Sequence, residues 1–192
     1  TSPIEGAGWL TVSNIKEGDY IAAPNPKVGV FIDNANLFYA QREAGWKVDW
    51  IKVRKVLSGA FDIQFLNYYM ALPDPSDKAH GATLRYIEHI RSSVTVVTKP
   101  LKYIEVAKGK YEKKGDMDVK IAADILDTLD NLDVVVIVSG DSDFNDLAEA
   151  IRRRNKKVVF AGFENNMAWE LRQRIHLYLN RLRDDIELGK NK

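Results

Sequence analysis

Two short groups of polar residues stand directly behind uninterrupted apolar runs. Asp141 and Asp143, in Ser139-Gly140-Asp141-Ser142-Asp143-Phe144, follow the run at 134–138, and a second run at 28–32 ends on Asp33-Asn34-Ala35-Asn36. Such runs, bounded by turn signals and followed by helical periodicity, read as buried strands of a parallel α/β sheet. The carboxyl ends of parallel strands share one edge, and ligands bind there near the point where strand order reverses. Asp33, Asp141 and Asp143 are therefore expected to meet in space, although more than a hundred residues separate the first from the others. Crowded carboxylates raise one another's pKa unless a cation lies between them, and neither motif holds a lysine or arginine. A divalent metal ion is the simplest solution. Ser139, Gly140 and Ser142 are small, which lets the backbone there come close to a phosphate.

The elements that must carry these residues alternate. After the strand at 28–32, a helix over 35–44 ends at Gly45, a short helix covers 49–57, and 61–70 reads as a strand. A helix over 77–91 and a strand over 94–98 follow. Residues 118–129 form an amphipathic helix with Ile121, Ile125 and Leu129 at four-residue spacing. The strand at 134–138, a helix over 144–154, a strand over 158–161 and a helix over 167–172 complete a Rossmann-like three-layer α/β/α domain over 28–188 with a mainly parallel sheet. Residues 1–27 have the Gly- and Pro-punctuated grammar of an arm or hairpin appendage, and 189–192 read as a frayed tail.

Composition narrows the chemistry. The 192 residues, 45% hydrophobic and 29% charged, can build one substantial core. The absence of cysteine excludes disulfides, thiolate zinc sites and cysteine nucleophiles. No run approaches a membrane span and no signal peptide precedes the first strand, so the expectation is a cytoplasmic protein without a membrane partner. The net charge of +1 leaves attraction to nucleic acid to local patches. One stands out between residues 99 and 114, where Lys99, Lys102, Lys108, Lys110, Lys113 and Lys114 accompany Tyr103 and Tyr111 around a Lys108-Gly109 turn. This is a basic hairpin, and its tyrosines offer faces on which an unpaired base can stack. The cluster Arg152-Arg153-Arg154 reads instead as a solvated helix end. Trp46, Trp50 and Trp169 read as core or helix-face residues, and His80, His89 and His176 lack metal-ligand spacing.

The hairpin feeds into Gly115-Asp116-Met117-Asp118, so Asp118 opens a helix and is either its N-terminal cap or a further site acid. Asp33 has the same rival reading as a cap. Asp124, one turn past Ile121, is either a peripheral acid behind the site or a buried hydrogen-bonded group.

Taken together, Phe31-Ile32-Asp33-Asn34-Ala35-Asn36-Leu37, Lys114-Gly115-Asp116-Met117-Asp118-Val119 with Asp124 beyond it, and Val138-Ser139-Gly140-Asp141-Ser142-Asp143-Phe144 resemble the NYN family of PIN-like nucleases, and within it the LabA-like group. The resemblance covers roughly residues 28–175. It implies a PIN-like fold and a metal-dependent ribonuclease site built on Asp33, Asp118, Asp141 and Asp143, with Asn36 at a polar position beside the first acid. Asp116 departs from the pattern by adding an acid.

Hard cations prefer oxygen ligands, so Mg²⁺ or Mn²⁺ suits these acids. Asp33 and Asp141 are expected as principal ligands and Asp118 and Asp143 as further ligands, with Asn36 as a supporting hydrogen-bonding group. Lys113, Lys114, Ser139 and Ser142 are expected to contact RNA, and Asp116 and Asp124 are secondary candidates. The favoured activity is hydrolysis of RNA phosphodiester bonds, with a homodimer compatible with the fold. The competing reading is a nonenzymatic RNA-binding or protein-interaction module that retains the acids. A haloacid-dehalogenase-type phosphatase would need Asp-x-Asp after the first strand, and a dinucleotide enzyme would need Gly-x-Gly-x-x-Gly; neither motif is present there.

Overall fold

The computed structural model describes residues 26–59 and 61–189. The appendage expected over 1–27 and the tail over 189–192 lie, apart from residues 26, 27 and 189, outside the described residues.

Six parallel strands form the central sheet: β1 (Lys27–Asp33), β2 (Asp62–Leu72), β3 (Thr95–Pro100), β6 (Val134–Val138), β7 (Lys157–Gly162) and β8 (His176–Tyr178). Their spatial order is β3-β2-β1-β6-β7-β8. The chain winds outward from β1 to β3 and returns to the other side of β1 with β6, so the β1/β6 pair is the switch point. Helices α1 (Asn34–Ala44), α2 (Trp50–Ser58), α3 (His80–Ile90), α4 (Asp118–Thr128), α5 (Phe144–Arg153), α6 (Trp169–Arg172) and α7 (Arg183–Ile186) connect and flank these strands.

The unbroken apolar runs follow from burial on both faces. Along β1, Val28, Val30 and Ile32 join one core with Leu37 of α1 and Trp50, Val53 and Leu57 of α2. Phe31 joins the opposite core, with Ile121 and Ile125 of α4 and Phe144, Ala148 and Ile151 of α5. The adjacent β6 divides the same way, Val134 and Val138 to the first core and Val135 and Ile137 to the second. Phe31 meets Phe65 edge-on at 5.4 Å and stacks on Tyr69 at 6.4 Å. Gly29 leaves room for this packing, because a Cβ there would fall 2.7 Å from Leu132 Cδ1 and 2.9 Å from the Phe65 ring.

Some boundaries differ from expectation. The helix expected from residue 77 begins at His80, because Asp74 and Asp77 fold the preceding residues into side-chain-capped turns, accepting from the amides of Ser76 and Ala79. The helix expected over 167–172 is a single turn, and β8 carries too few residues to show a period.

The basic hairpin consists of β4 (Lys102–Ala107) and β5 (Lys110–Lys114), with Gly109 in the left-handed conformation at its turn, and all its strand residues are exposed. One clasp ties it to the domain. Tyr103 Oη and Lys113 Nζ both donate to Asp77 Oδ2, at 2.9 and 2.6 Å, and the Asp74 amide donates to Tyr103 Oη. The Lys113 ammonium holds the Asp77 carboxyl well below its ordinary value of 3.8. Because that folded-state value is depressed, the clasp is fully present above the ordinary value and weakens only as pH falls through the lower one. Gly115 seats the base of the hairpin, since a Cβ there would lie 2.6 Å from the Ala71 Cβ near the carboxyl end of β2. Among the described residues no helix is long and apolar enough to cross a membrane.

Replacing Phe31, which is 0% exposed, by alanine is expected to cost about 3–5 kcal/mol, whereas Phe38→Ala, at 49% exposure on α1, should stay within about 0.5 kcal/mol. Urea denaturation of the two variants measures the difference.

Candidate metal centre

Parallel pairing places Ile32 beside Val138, so Asp33 and the Ser139-Gly140-Asp141 turn leave the sheet side by side. Asp33 caps α1. Its Oδ1 accepts from the amides of Ala35 (3.0 Å) and Asn36 (3.3 Å), and its Oδ2 accepts from Ser139 Oγ at 3.0 Å. The side chain is only 3% exposed. Burial raises its carboxyl pKa, these three hydrogen bonds oppose the rise, and the nearby Asp141 adds to it.

The same serine continues the chain of contacts, since Ser139 Oγ also accepts from the Asp141 amide at 3.2 Å. Asn36 Oδ1 accepts from the Gly140 amide at 2.8 Å, a second tie between the turns after β1 and β6. Asp141 Oδ1 in turn accepts from the Asp143 amide at 3.0 Å. On the far side, the loop after β7 braces this turn. The Ala168 amide donates to the Gly140 carbonyl, and a Cβ on residue 140 would fall 2.3 Å from the Asn166 carbonyl oxygen, so only glycine fits. Arg172 steadies that loop by donating to the carbonyls of Met167 and Glu164.

Asp118, Asp141 and Asp143 come together, with one carboxylate oxygen from each within 4.8 Å of the other two. They arrive from different directions, Asp118 on the first turn of α4 and the other two from the turn after β6. None of the three takes part in an ion pair among the described residues. Asp143 precedes α5 without spending its carboxylate on the helix cap, and Asp118 follows Met117 at the cap position of α4, where no side chain caps the helix, with its amide donating to Asp116 Oδ1. Burial first, and then the charges of Asp116, Asp33 and Asp141, push the Asp118 carboxyl up to about 7. An uncompensated group of hard oxygen donors, one already retaining its proton near neutrality, fits a divalent cation.

The other expected residues make contacts of their own. Asp33 is linked to the Asp141 amide through Ser139 Oγ, with one lone-pair position left on Oδ2 after its three contacts. Ser139 is 0% exposed and joins Asp33 to Asp141, whereas Ser142 is exposed. Lys113 gives its ammonium to Asp77 with its side chain still 51% exposed, whereas Lys114 is exposed and has no ion-pair partner among the described residues. Asp124 lies outside the cluster, partly buried, with Oδ2 accepting from Tyr69 Oη and Oδ1 from Lys120 Nζ. Sequence reasoning missed the parts played by Asp77 and Asn166; the only sequence signal was the position of Asp77 just ahead of a helix.

The sequence pattern of the NYN domain family matches residues 27–180. The chain is 30% identical over 167 residues to the "Low amplitude and bright protein LabA" of Synechococcus elongatus, covering 84% of this chain and 88% of that protein. A crystal structure of a Vibrio parahaemolyticus protein of unknown function superposes with a TM-score of 0.66 at 27% identity, over 87% of this chain and 99% of the other.

Two measurements bear on this centre. Gly140→Ala should destabilise the fold by about 1–3 kcal/mol, because the added carbon meets backbone that cannot swing away, while exposed Ser142→Ala should be near neutral in thermal melts. For Asp118 the folded pKa is raised, so the folded chain binds more protons than the unfolded chain between 3.8 and about 7. Stability of the metal-free protein should therefore fall as pH rises through that window, while Mn²⁺ affinity by titration calorimetry rises across it; Asp118→Asn should flatten both profiles.

Proposed function

The chain belongs to the NYN domain family, whose members are generally nucleases, and on that premise we propose that it is a ribonuclease dependent on Mg²⁺ or Mn²⁺. The single observation that carries this reading is the convergence of Asp118, Asp141 and Asp143 at the switch point, with no ion-pair partner among the described residues.

In this reading Asp118, Asp141 and Asp143 hold the cation through carboxylate oxygens, and Asp33 supports them through Ser139 or with its remaining lone pair. Once bound, such an ion supplies Lewis-acid polarisation of a phosphate and a water of lowered pKa. The protein's share is positioning. Asn36 and Ser139 lock the turns after β1 and β6 to each other, which fixes the spacing of carboxylates that would otherwise repel. Ser142 and Lys114 are exposed and available to a phosphate of the bound strand. Hydrolysis adds water across one P–O ester bond, leaving a phosphate monoester on one product and a hydroxyl on the other. The Asp118 carboxyl gives up its proton when a cation takes its place.

The test uses end-labelled single-stranded RNA with the purified protein in Mg²⁺ or Mn²⁺. Cleavage is expected, abolished by EDTA, restored by adding back the ion, and lost in Asp141→Asn. Asn36→Ala should retain the fold and lose about 10–100-fold in activity, the usual effect of removing a group that orients metal ligands. RNA binding without metal-dependent cleavage would overturn the enzymatic reading in favour of a binding module that retains the acids.

A further inference from the structure

The hairpin β4–β5 has two faces with different electrostatic character. Residues directly opposite in an antiparallel pair share a face, and the register pairs Tyr103 with Lys113, and Lys102 with Lys114. The Tyr103/Lys113 face is turned to the domain and closed by Asp77. The other face carries Lys102 opposite Lys114 and Ile104 opposite Glu112, and alternation along β5 adds Lys110. Lys102, Lys110 and Lys114 enter no ion pair among the described residues.

This face is costly as it stands. Like charges directly opposite on a two-stranded ribbon destabilise it, and such a ribbon is marginal alone. Lysines alone are a common guard against edge pairing, but on this face Ile104, opposite Glu112, is also 44% exposed, while Tyr111, at 59%, stands opposite Glu105 on the ribbon's other face. A partner with anionic groups at intervals and flat apolar surfaces between them satisfies both features. The location narrows it further, because Lys114 precedes Asp118 by four residues, a reach of at most ~14 Å even in extended chain.

We propose that the outward face of the hairpin, with Lys102, Lys110 and Lys114, is a phosphate-binding rail that holds the backbone of a single-stranded RNA leading into the acid cluster, and that Lys113 is a strut fixing the rail's angle. The inference rests on the ribonuclease reading for the identity of the strand, not for the existence of the rail. Three neutralised phosphates contribute about 2 to the slope of log affinity against log salt for a single strand.

Binding of fluorescently labelled single-stranded RNA is measured by anisotropy in EDTA, where no cleavage occurs, across a salt series, beside a cleavage assay in Mn²⁺. The K102Q/K110Q/K114Q variant, which retains the Lys113 clasp, should lose about 2 from the salt slope, and the K102R/K110R/K114R variant should keep the wild-type slope. Cleavage by the triple glutamine variant should show a raised KM with little change in kcat. Equal slopes for wild type and K102Q/K110Q/K114Q, with wild-type cleavage intact, would overturn the rail and leave the ribonuclease reading standing. A slope that depends on the three lysines without any cleavage by wild type would support the rail and overturn the ribonuclease reading.

Discussion

The structure turns on one buried carboxylate. Asp33 sits at the carboxyl end of the central strand, almost wholly removed from water, and two amides of α1 and the Ser139 hydroxyl satisfy it. A buried acid with no partners would be expensive, so these contacts are obligatory once the strand is central. Their consequence is geometric. The amides set the entry of α1, the hydroxyl sets the turn after β6, and that turn presents Asp141 and Asp143. Asn36 repeats the tie through Gly140, so two independent contacts fix one spacing.

The electrostatics follow from this rigidity. Three acids with one carboxylate oxygen from each within 4.8 Å of the other two, and with no ion-pair partner among the described residues, repel one another, and the fold tolerates this because packing on both faces of the sheet is extensive. At Asp118 burial, with the neighbouring acids adding to it, keeps the proton on near neutrality. The basic charge is kept apart from the acids on a ribbon outside the core. Acid and base would otherwise pair and silence each other.

Much of the fold was legible because burial on both faces writes itself into sequence as continuous apolar runs, and the acids stand at the ends of two of them. Strand order alone placed Asp33 near Asp141 and Asp143, whereas Asp118 joined them only through the family resemblance, since its own position at a helix start left it open between a cap and a site acid. What could not be read was how individual polar atoms are spent. Nothing in the spacing says that Ser139 faces inward, that Asp77 captures Lys113, or that Asn166 lies against Gly140, because contacts between remote loops have no period. β8 escaped for a related reason, since its three residues are too few to establish a pattern.

The pairing of β1 with β6 joins segments whose partners lie 106 positions apart, as the Asp33–Ser139 bond records. During synthesis the first half of the sheet therefore emerges with a vacant central edge, and the carboxylates have no means of converging. Only when the strand before Ser139 has left the ribosome and slotted beside β1 does the centre come into being. A chain cut short before β6 therefore carries Asp33 and Asp118 without the two acids they face, so the order of synthesis leaves the centre unassembled until its last strand arrives.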